Sequence, residues 1–456
     1  MASFEEKELL TVLSQVEHVG PFFAIQRVSI DSREISPGDL YVALKGERFD
    51  GHSFLDQAVK NGACTVIIDR QCQWTCENIS VFRVDDPLIA LGELASHHRK
   101  KMMIPIIGIT GSIGKTSLKD LLAAALGSKQ EVMKTPGNFN NEIGVPLTLL
   151  SLTEQHRYGI IEMGMRGLGE ISYLTSLAMP TIGIVTNVEA VHIGRLGSLE
   201  NIAKAKSELI SGMTSSTSLS VLNWDDPYVR EMSELSKGRV LRFGTSEDAD
   251  IRGRVVSQKE EGLTIEYQWL NEAKETVLLP LLGRHQLLNG LAAIGVARFL
   301  GKTAAEVAAG LQKIEHTSMR LEPLRIKDIF VLNDAYNANV RAMKSALDTF
   351  MEVGTGIKTV LLGDMFELGV HGEEAHQEVL KYALELGYQR ILVLGEEMRK
   401  AATLLAQNRI VCLEDNEKAV QKLEEILQPG DSFLLKGSRG MELEKVLEQW
   451  SNMNKA

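Results

Sequence analysis

Residues 105–117 read Pro105-Ile106-Ile107-Gly108-Ile109-Thr110-Gly111-Ser112-Ile113-Gly114-Lys115-Thr116-Ser117. The apolar run predicts a buried strand, and the glycines after it predict a tight turn. A helical pattern follows over 115–126. Strand, glycine turn, helix is the context in which successive backbone N–H groups can face phosphate oxygens at a helix N-terminus. Lys115 is placed to reach the β- and γ-phosphates, and the Thr116 hydroxyl to ligate Mg²⁺. Gly111, Ser112, Gly114 and Ser117 complete the candidate ATP cradle. The strict pattern wants glycine five positions before Gly114, where this chain has Ile109. The loop is therefore a variant, GxxGxxGKT.

Outward from this loop, further apolar runs at 158–163, 181–186 and 219–223 alternate with helical patterns. Continuous Ile/Val runs between helices predict a parallel sheet covered on both faces. The run 251–279 alternates like an antiparallel appendage, and helical patterns at 286–300 and 303–314 close this block. Before it lie β-type runs at 39–44 and 64–69, with helical patterns at 54–60 and 87–101. After it, strands at 330–333, 358–362, 390–394 and 432–435 alternate with helices as in a Rossmann-like domain, without a GxGxxG turn. The expected fold class is α/β in three domains. These are a small α/β N-terminal domain (1–101), a central P-loop-type parallel-sheet ATPase domain (102–316) and a Rossmann-like C-terminal domain (317–456).

A chain of 456 residues is long enough for several cores. Its 49 basic and 60 acidic residues give a formal net charge of -11, which argues against nucleic acid and anionic membranes as partners. The cysteines, Cys64, Cys72, Cys76 and Cys412, lack zinc-site spacing and read as free thiols of a reducing compartment. The first ten residues contain no apolar signal segment, and no apolar run could span a bilayer. A cytoplasmic protein without membrane insertion is expected.

Glu162 ends an apolar strand run, and His192 follows the next one. Both fall at the sheet edge that carries the phosphate loop, where a carboxylate can hold magnesium. A lone histidine is more often structural, and its position brings the two readings level. Lys206 lies on a helix, and nothing in the local sequence separates it from Lys204.

With the loop, Gly283-Arg284-His285-Gln286-Leu287-Leu288-Asn289 and Ser318-Met319-Arg320, the whole chain resembles the Mur ligase family. Thr135-Pro136-Gly137-Asn138-Phe139-Asn140-Asn141-Glu142 and Asp334-Ala335-Tyr336-Asn337-Ala338-Asn339 direct the resemblance to members that add D-alanyl-D-alanine to UDP-N-acetylmuramoyl-tripeptide. Asp31-Ser32-Arg33, Gly363-Asp364-Met365 and Lys436-Gly437-Ser438-Arg439 agree. The resemblance implies an ATP- and Mg²⁺-dependent, ADP-forming ligase working through an acyl phosphate. It assigns catalytic roles to Lys115, His192 and Lys206, and metal binding to Thr116, Glu162, His192 and Lys206, the lysine being carbamylated. Asn289, Arg320 and Asp334 would contact the nucleotide. Asn138, Asn140 and Asn141, with Tyr336, Asn337 and Asn339, would line the substrate cleft. Ser32, Arg33, Asp50 and His52 would bind the UDP-sugar end.

Two positions depart from the family pattern: Ile113 replaces an asparagine and Val340 a proline. Neither removes a charged group. The alternatives are a Mur-like ligase with another acceptor, a folylpolyglutamate synthase-like enzyme, and a regulatory NTPase. The Tyr336–Asn339 run argues against the first two, and the lack of an Asn-Lys-x-Asp motif against the last. A monomer is expected.

Overall fold

The computed structural model describes residues 3–46, 49–190, 193–315 and 317–453. The chain forms two compact units, Met1–Arg252 with Leu288–Gly310, and Gly253–Leu287 with Leu311–Ala456.

In the first unit, the strand ahead of the phosphate loop is Ile106–Thr110, and every one of its residues is buried. It lies between Tyr158–Glu162 and Ile182–Val185, with Val132–Lys134 beyond the former and Leu219–Asn223 and Arg239–Gly244 beyond the latter. All these pairings are parallel. The sequence reason is the two-sided apolar run: a strand buried on both faces has no polar face to alternate with. Parallel strands end together, so the C-terminal ends of Ile106–Thr110 and Tyr158–Glu162 bring the loop and Glu162 to one edge.

A second sheet of this unit places Ser80–Val84, Thr65–Asp69, Asp39–Val42 and Arg27–Ser29 in parallel order, with Glu17–Val19 antiparallel at its edge. Helix Pro87–Lys101 joins the two sheets. It starts on a proline behind an Asp86 cap that accepts the Leu88 N–H at 2.7 Å, and its last turn is basic, as the helix dipole favours. Leu91 and Leu94 on this helix share one hydrophobic cluster with Phe4, Leu40 and Phe82 on one side and Leu149 and Ile161 on the other. One continuous core therefore supports both sheets.

The second unit is built on the strand order Glu322–Ile326, Ile329–Asp334, Ser432–Lys436, Lys358–Gly363, Arg390–Leu394, Ile410–Leu413. Only the first pair is antiparallel. Phe330 and Leu332 enter one core cluster and Ile329 and Val331 the other, as the two-residue strand period requires. The hairpin Gly262–Trp269 with Glu275–Leu279 supplies the antiparallel appendage.

Candidate active site

The turn after Ile106–Thr110 needs glycine at two places. At Gly111, with φ 150°, an added Cβ would sit 1.8 Å from Thr186 Oγ1. At Gly114, with φ 89°, it would sit 2.8 Å from Asn289 Oδ1. These contacts place Thr186 and Asn289 directly against the loop. Helix Lys115–Leu126 begins at Gly114 with no side chain capping its first turn, the arrangement that leaves a helix N-terminus to an anion. Lys115 Nζ donates to the carbonyls of Gly111 at 2.6 Å and Ser112 at 3.3 Å.

Ile113, where the resemblance implies asparagine, is held by its backbone. Its N–H donates to Asn187 Oδ1 at 2.9 Å, and its carbonyl accepts from Thr186 Oγ1 at 2.8 Å and Asn187 Nδ2 at 3.1 Å. The loop shape thus survives the exchange of side chain. Val340 opens helix Val340–Val353 behind Asn339, whose side chain accepts the Ala342 N–H at 2.8 Å. A first helical turn takes proline or another residue there.

Glu162 is 2% exposed. Its Oε2 accepts from the Thr116 hydroxyl at 3.1 Å and its Oε1 from Asn140 Nδ2 at 2.8 Å. Lys119 Nζ lies 3.5 Å from Oε2. Among the described residues no three His, Cys, Asp or Glu side chains come together. One carboxylate beside one hydroxyl nevertheless fits Mg²⁺, which keeps waters and takes its other oxygens from substrate phosphates. His192 lies outside the described residues.

Lys206 is 3% exposed, whereas Lys204 is exposed on the same helix, Leu199–Gly212. Burial first, and the nearby charge of Lys115 second, push the Lys206 ammonium well below the usual lysine range. A lowered pKa enlarges the neutral fraction of the amine, the form that reacts with carbon dioxide to give a carbamate.

A cavity of about 860 Å³ opens on these groups. Gly111, Ser112, Lys115 and Lys206 line one part of it, the 138–144 segment another, and residues 27–31 of the N-terminal sheet a third. Asn138 and Asn140 face it, and Asn141, also in its wall, accepts the Gly144 N–H at 2.9 Å. Asp31 is in its wall as well, held well below its ordinary pKa, at about 2, by the Arg33 guanidinium and the Arg33 backbone N–H. Ser32 is buried, with its hydroxyl 3.3 Å from Gln57 Oε1. His52 uses both ring nitrogens inside the fold: Nδ1 lies 2.6 Å from Asp50 Oδ1, and Nε2 accepts the Asp69 N–H at 3.0 Å. It shapes its loop.

In the second unit, Arg320 lies over the Tyr336 ring at 4.0 Å. Asp334 pairs with Lys436 at 2.6 Å, and Lys436 also donates to the Asn337 carbonyl at 2.9 Å. Burial raises the Asp334 carboxyl above its ordinary range, against the pull of Lys436.

Sequence reasoning missed Thr186, Asn187 and Lys119. The signal for Lys119 was its spacing: three residues after Thr116, it shares that residue's helix face. Asn187 carried no local signal, because its contact with Ile113 joins two strand ends.

Comparison with known proteins gives the family and the fold. The Mur ligase family catalytic domain matches residues 24–102, the Mur ligase middle domain residues 109–297, and the Mur ligase glutamate ligase domain residues 319–439. The chain is 36% identical to the UDP-N-acetylmuramoyl-tripeptide–D-alanyl-D-alanine ligase of Bacillus subtilis (strain 168), over 93% of each chain. It is 34% identical to the Escherichia coli (strain K12) enzyme of that name, over 96% of each. Its fold matches the MurF ligase of Thermotoga maritima in complex with ADP with a TM-score of 0.82 at 30% identity, over 94% of this chain and 97% of that one. A Mycobacterium tuberculosis folylpolyglutamate synthase shares only the fold, with a TM-score of 0.61 at 18% identity over 77% of this chain and 92% of that one. The chain belongs to the Mur ligase family.

Proposed function

We propose that the chain is an ATP-dependent, ADP-forming ligase that adds D-alanyl-D-alanine to UDP-N-acetylmuramoyl-tripeptide, giving the pentapeptide precursor of peptidoglycan. The observation that carries this reading is the cavity shared by the phosphate loop, Lys206, the asparagine segment and the N-terminal strands. It offers a phosphate end and a polar cleft in one space. The relatives' names supply the acceptor.

In this reading the tripeptide carboxylate attacks the γ-phosphorus of ATP, and ADP leaves. The amine of D-alanyl-D-alanine then attacks the acyl carbon, and phosphate leaves. Both steps depend on positioning and charge more than on covalent catalysis. Lys115 turns from its own loop carbonyls to the phosphates, and Gly111, Ser112, Gly114, Thr116 and Ser117 cradle them. Mg²⁺, when bound, offsets the repulsion between the two anions that must meet. Thr116, Glu162, His192 and a carbamylated Lys206 would hold it. Asn289, Arg320 and Asp334 are proposed nucleotide contacts. Asn138, Asn140, Asn141, Tyr336, Asn337 and Asn339 are proposed contacts of the peptide substrates, and Ser32, Arg33, Asp50 and His52 of the UDP-sugar. The proposed domains are 1–101 for the UDP-sugar, 102–316 for ATP, and the Rossmann-like 317–456.

The partners are small molecules. The acidic charge weighs against nucleic acid, and no described helix is long and apolar enough to cross a membrane. A monomer is proposed. Four free cysteines and the use of ATP support a cytoplasmic setting.

The test is phosphate release from Mg-ATP and UDP-N-acetylmuramoyl-tripeptide, with and without D-alanyl-D-alanine. Release that requires both substrates, with a pentapeptide product by mass, is expected. Release indifferent to D-alanyl-D-alanine would move the chain to another acceptor or to a regulatory NTPase.

A further inference from the structure

Lys119 has no place in the mechanism above, yet it is 2% exposed and sits next to the metal carboxylate. It lies one turn along the helix from Thr116, so both side chains leave the same face. Its Nζ meets both the substrate segment and the carboxylate. The first contact is a hydrogen bond of 2.9 Å to the Gly137 carbonyl, immediately before Asn138. The second is the 3.5 Å approach to Glu162 Oε2.

Glu162 is bound from three directions as a result. Thr116 reaches it from the phosphate-loop helix, Asn140 from the segment lining the cavity, and Lys119 from one turn further along the helix of Thr116. Its backbone N–H also donates to Thr135 Oγ1 at 2.9 Å, at the start of that same segment. The neighbouring pair Lys134–Asp120, at 2.6 Å, is close enough for its charges to act on Lys119 and is solvated on the lysine side. Burying an ammonium beside a carboxylate is an inefficient way to stabilise a fold; an apolar pair of the same volume often does as well. A buried lysine here calls for a use that an apolar side chain cannot serve.

We infer that Lys119 is a positioning residue, locking the Glu162 carboxylate and the Gly137–Asn141 segment into one unit so that metal ligand and substrate cleft are set together. The inference rests on the reading of Glu162 as a metal ligand and adds to it. Groups that orient a ligating carboxylate typically contribute 10–100-fold to metal affinity.

The experiment uses the full chain saturated with ADP and follows Mn²⁺ binding by electron paramagnetic resonance, beside circular dichroism and steady-state kinetics. For Lys119→Met, a folded protein is expected. Its Mn²⁺ dissociation constant should rise about 10–100-fold. The KM for the UDP-linked substrate should rise with it, while the KM for D-alanyl-D-alanine stays near that of the unaltered chain. Glu162→Gln is the control. If it loses Mn²⁺ affinity while Lys119→Met keeps it or binds tighter, the positioning role is overturned and Glu162 stands. If Glu162→Gln also leaves the affinity unchanged, the metal reading falls and takes the inference with it. Should Lys119→Met fail to fold, Lys119→Gln retains an N–H donor for Gly137 without the charge, and the same Mn²⁺ criterion decides.

Discussion

Each unit places a buried lysine against a carboxylate at the C-terminal ends of parallel strands, and the two pairs differ. In the second unit Asp334 and Lys436 end neighbouring strands and are partners in the register. The pair is tight, at 2.6 Å, and Lys436 spends a further proton on the Asn337 carbonyl. In the first unit Glu162 ends a strand but Lys119 comes from a helix, and the approach is 3.5 Å. Glu162 divides its oxygens among a hydroxyl, an amide and the ammonium. Strand register fixes the first kind of pair without further help, and the result is a clamp on the loop that follows. Helix phase fixes the second kind loosely and leaves carboxylate lone pairs for a cation. The same two residue types thus make a register-fixed brace beside a proposed nucleotide contact in one place and a looser pair at the proposed metal site in the other.

The sharpest way to break this contrast is to remove the lysine that the site reading needs most. Lys115→Ala should leave the fold intact and lower turnover by about 10³-fold or more, the scale of losing a charge aimed at a transferring phosphoryl group. Single-turnover phosphate release reads this directly. Turnover near that of the unaltered protein would mean that the loop beside Glu162 is not a phosphate site.

The next effect should fall on stability. Lys436→Met leaves Asp334, whose side chain is 14% exposed, without its cation, and breaking a fully buried pair in this way costs about 3–5 kcal/mol, the upper limit here. Urea unfolding monitored at Trp450, which lies in a core of the same unit, should show the loss. Lys436→Met combined with Asp334→Leu should recover most of it, because two apolar residues need no pairing. A single-variant cost below about 1 kcal/mol, the range of solvated pairs, would remove the clamp from the comparison.

The sequence made some of this legible and hid the rest for physical reasons. The runs around Ile106, Ile160, Ile184 and Val221 announced a parallel sheet because strands buried on both faces cannot alternate. The phosphate loop was legible because its glycines are demanded by backbone geometry. Lys206 looked like Lys204 only because the helix was not phased. Ile202, Ala205, Leu209 and Ile210 are buried around it, and that spacing puts Lys206 on the apolar stripe. Strand Glu322–Ile326 escaped notice because Pro323 demotes a run, and the structure shows why it is tolerated: the strand is at the edge of its sheet. Short strands such as Val132–Lys134 exist by pairing with Tyr158–Glu162, and three residues carry no period of their own.

A third pair, in solvent, supplies the smallest effect and calibrates the other two. Asp31 and Arg33 are two residues apart, with side chains 30% and 78% exposed. The guanidinium and the Arg33 N–H lower the Asp31 carboxyl from 3.8 to about 2. Its folded value is below its unfolded one, so the unfolded chain binds the extra proton in that interval. The pair's contribution is therefore fully present above the unfolded value and is lost as pH falls through about 2. Solvent screening limits it to about 1 kcal/mol or less. Asp31→Asn should cost no more than that at neutral pH. The difference in stability from the unaltered chain should shrink through the acid interval, and 1 M salt should weaken it at any pH. A loss of several kcal/mol, insensitive to salt, would place Asp31 with the buried pairs. Exposure would then no longer separate a solvated pair that orients an arginine from one that braces a sheet.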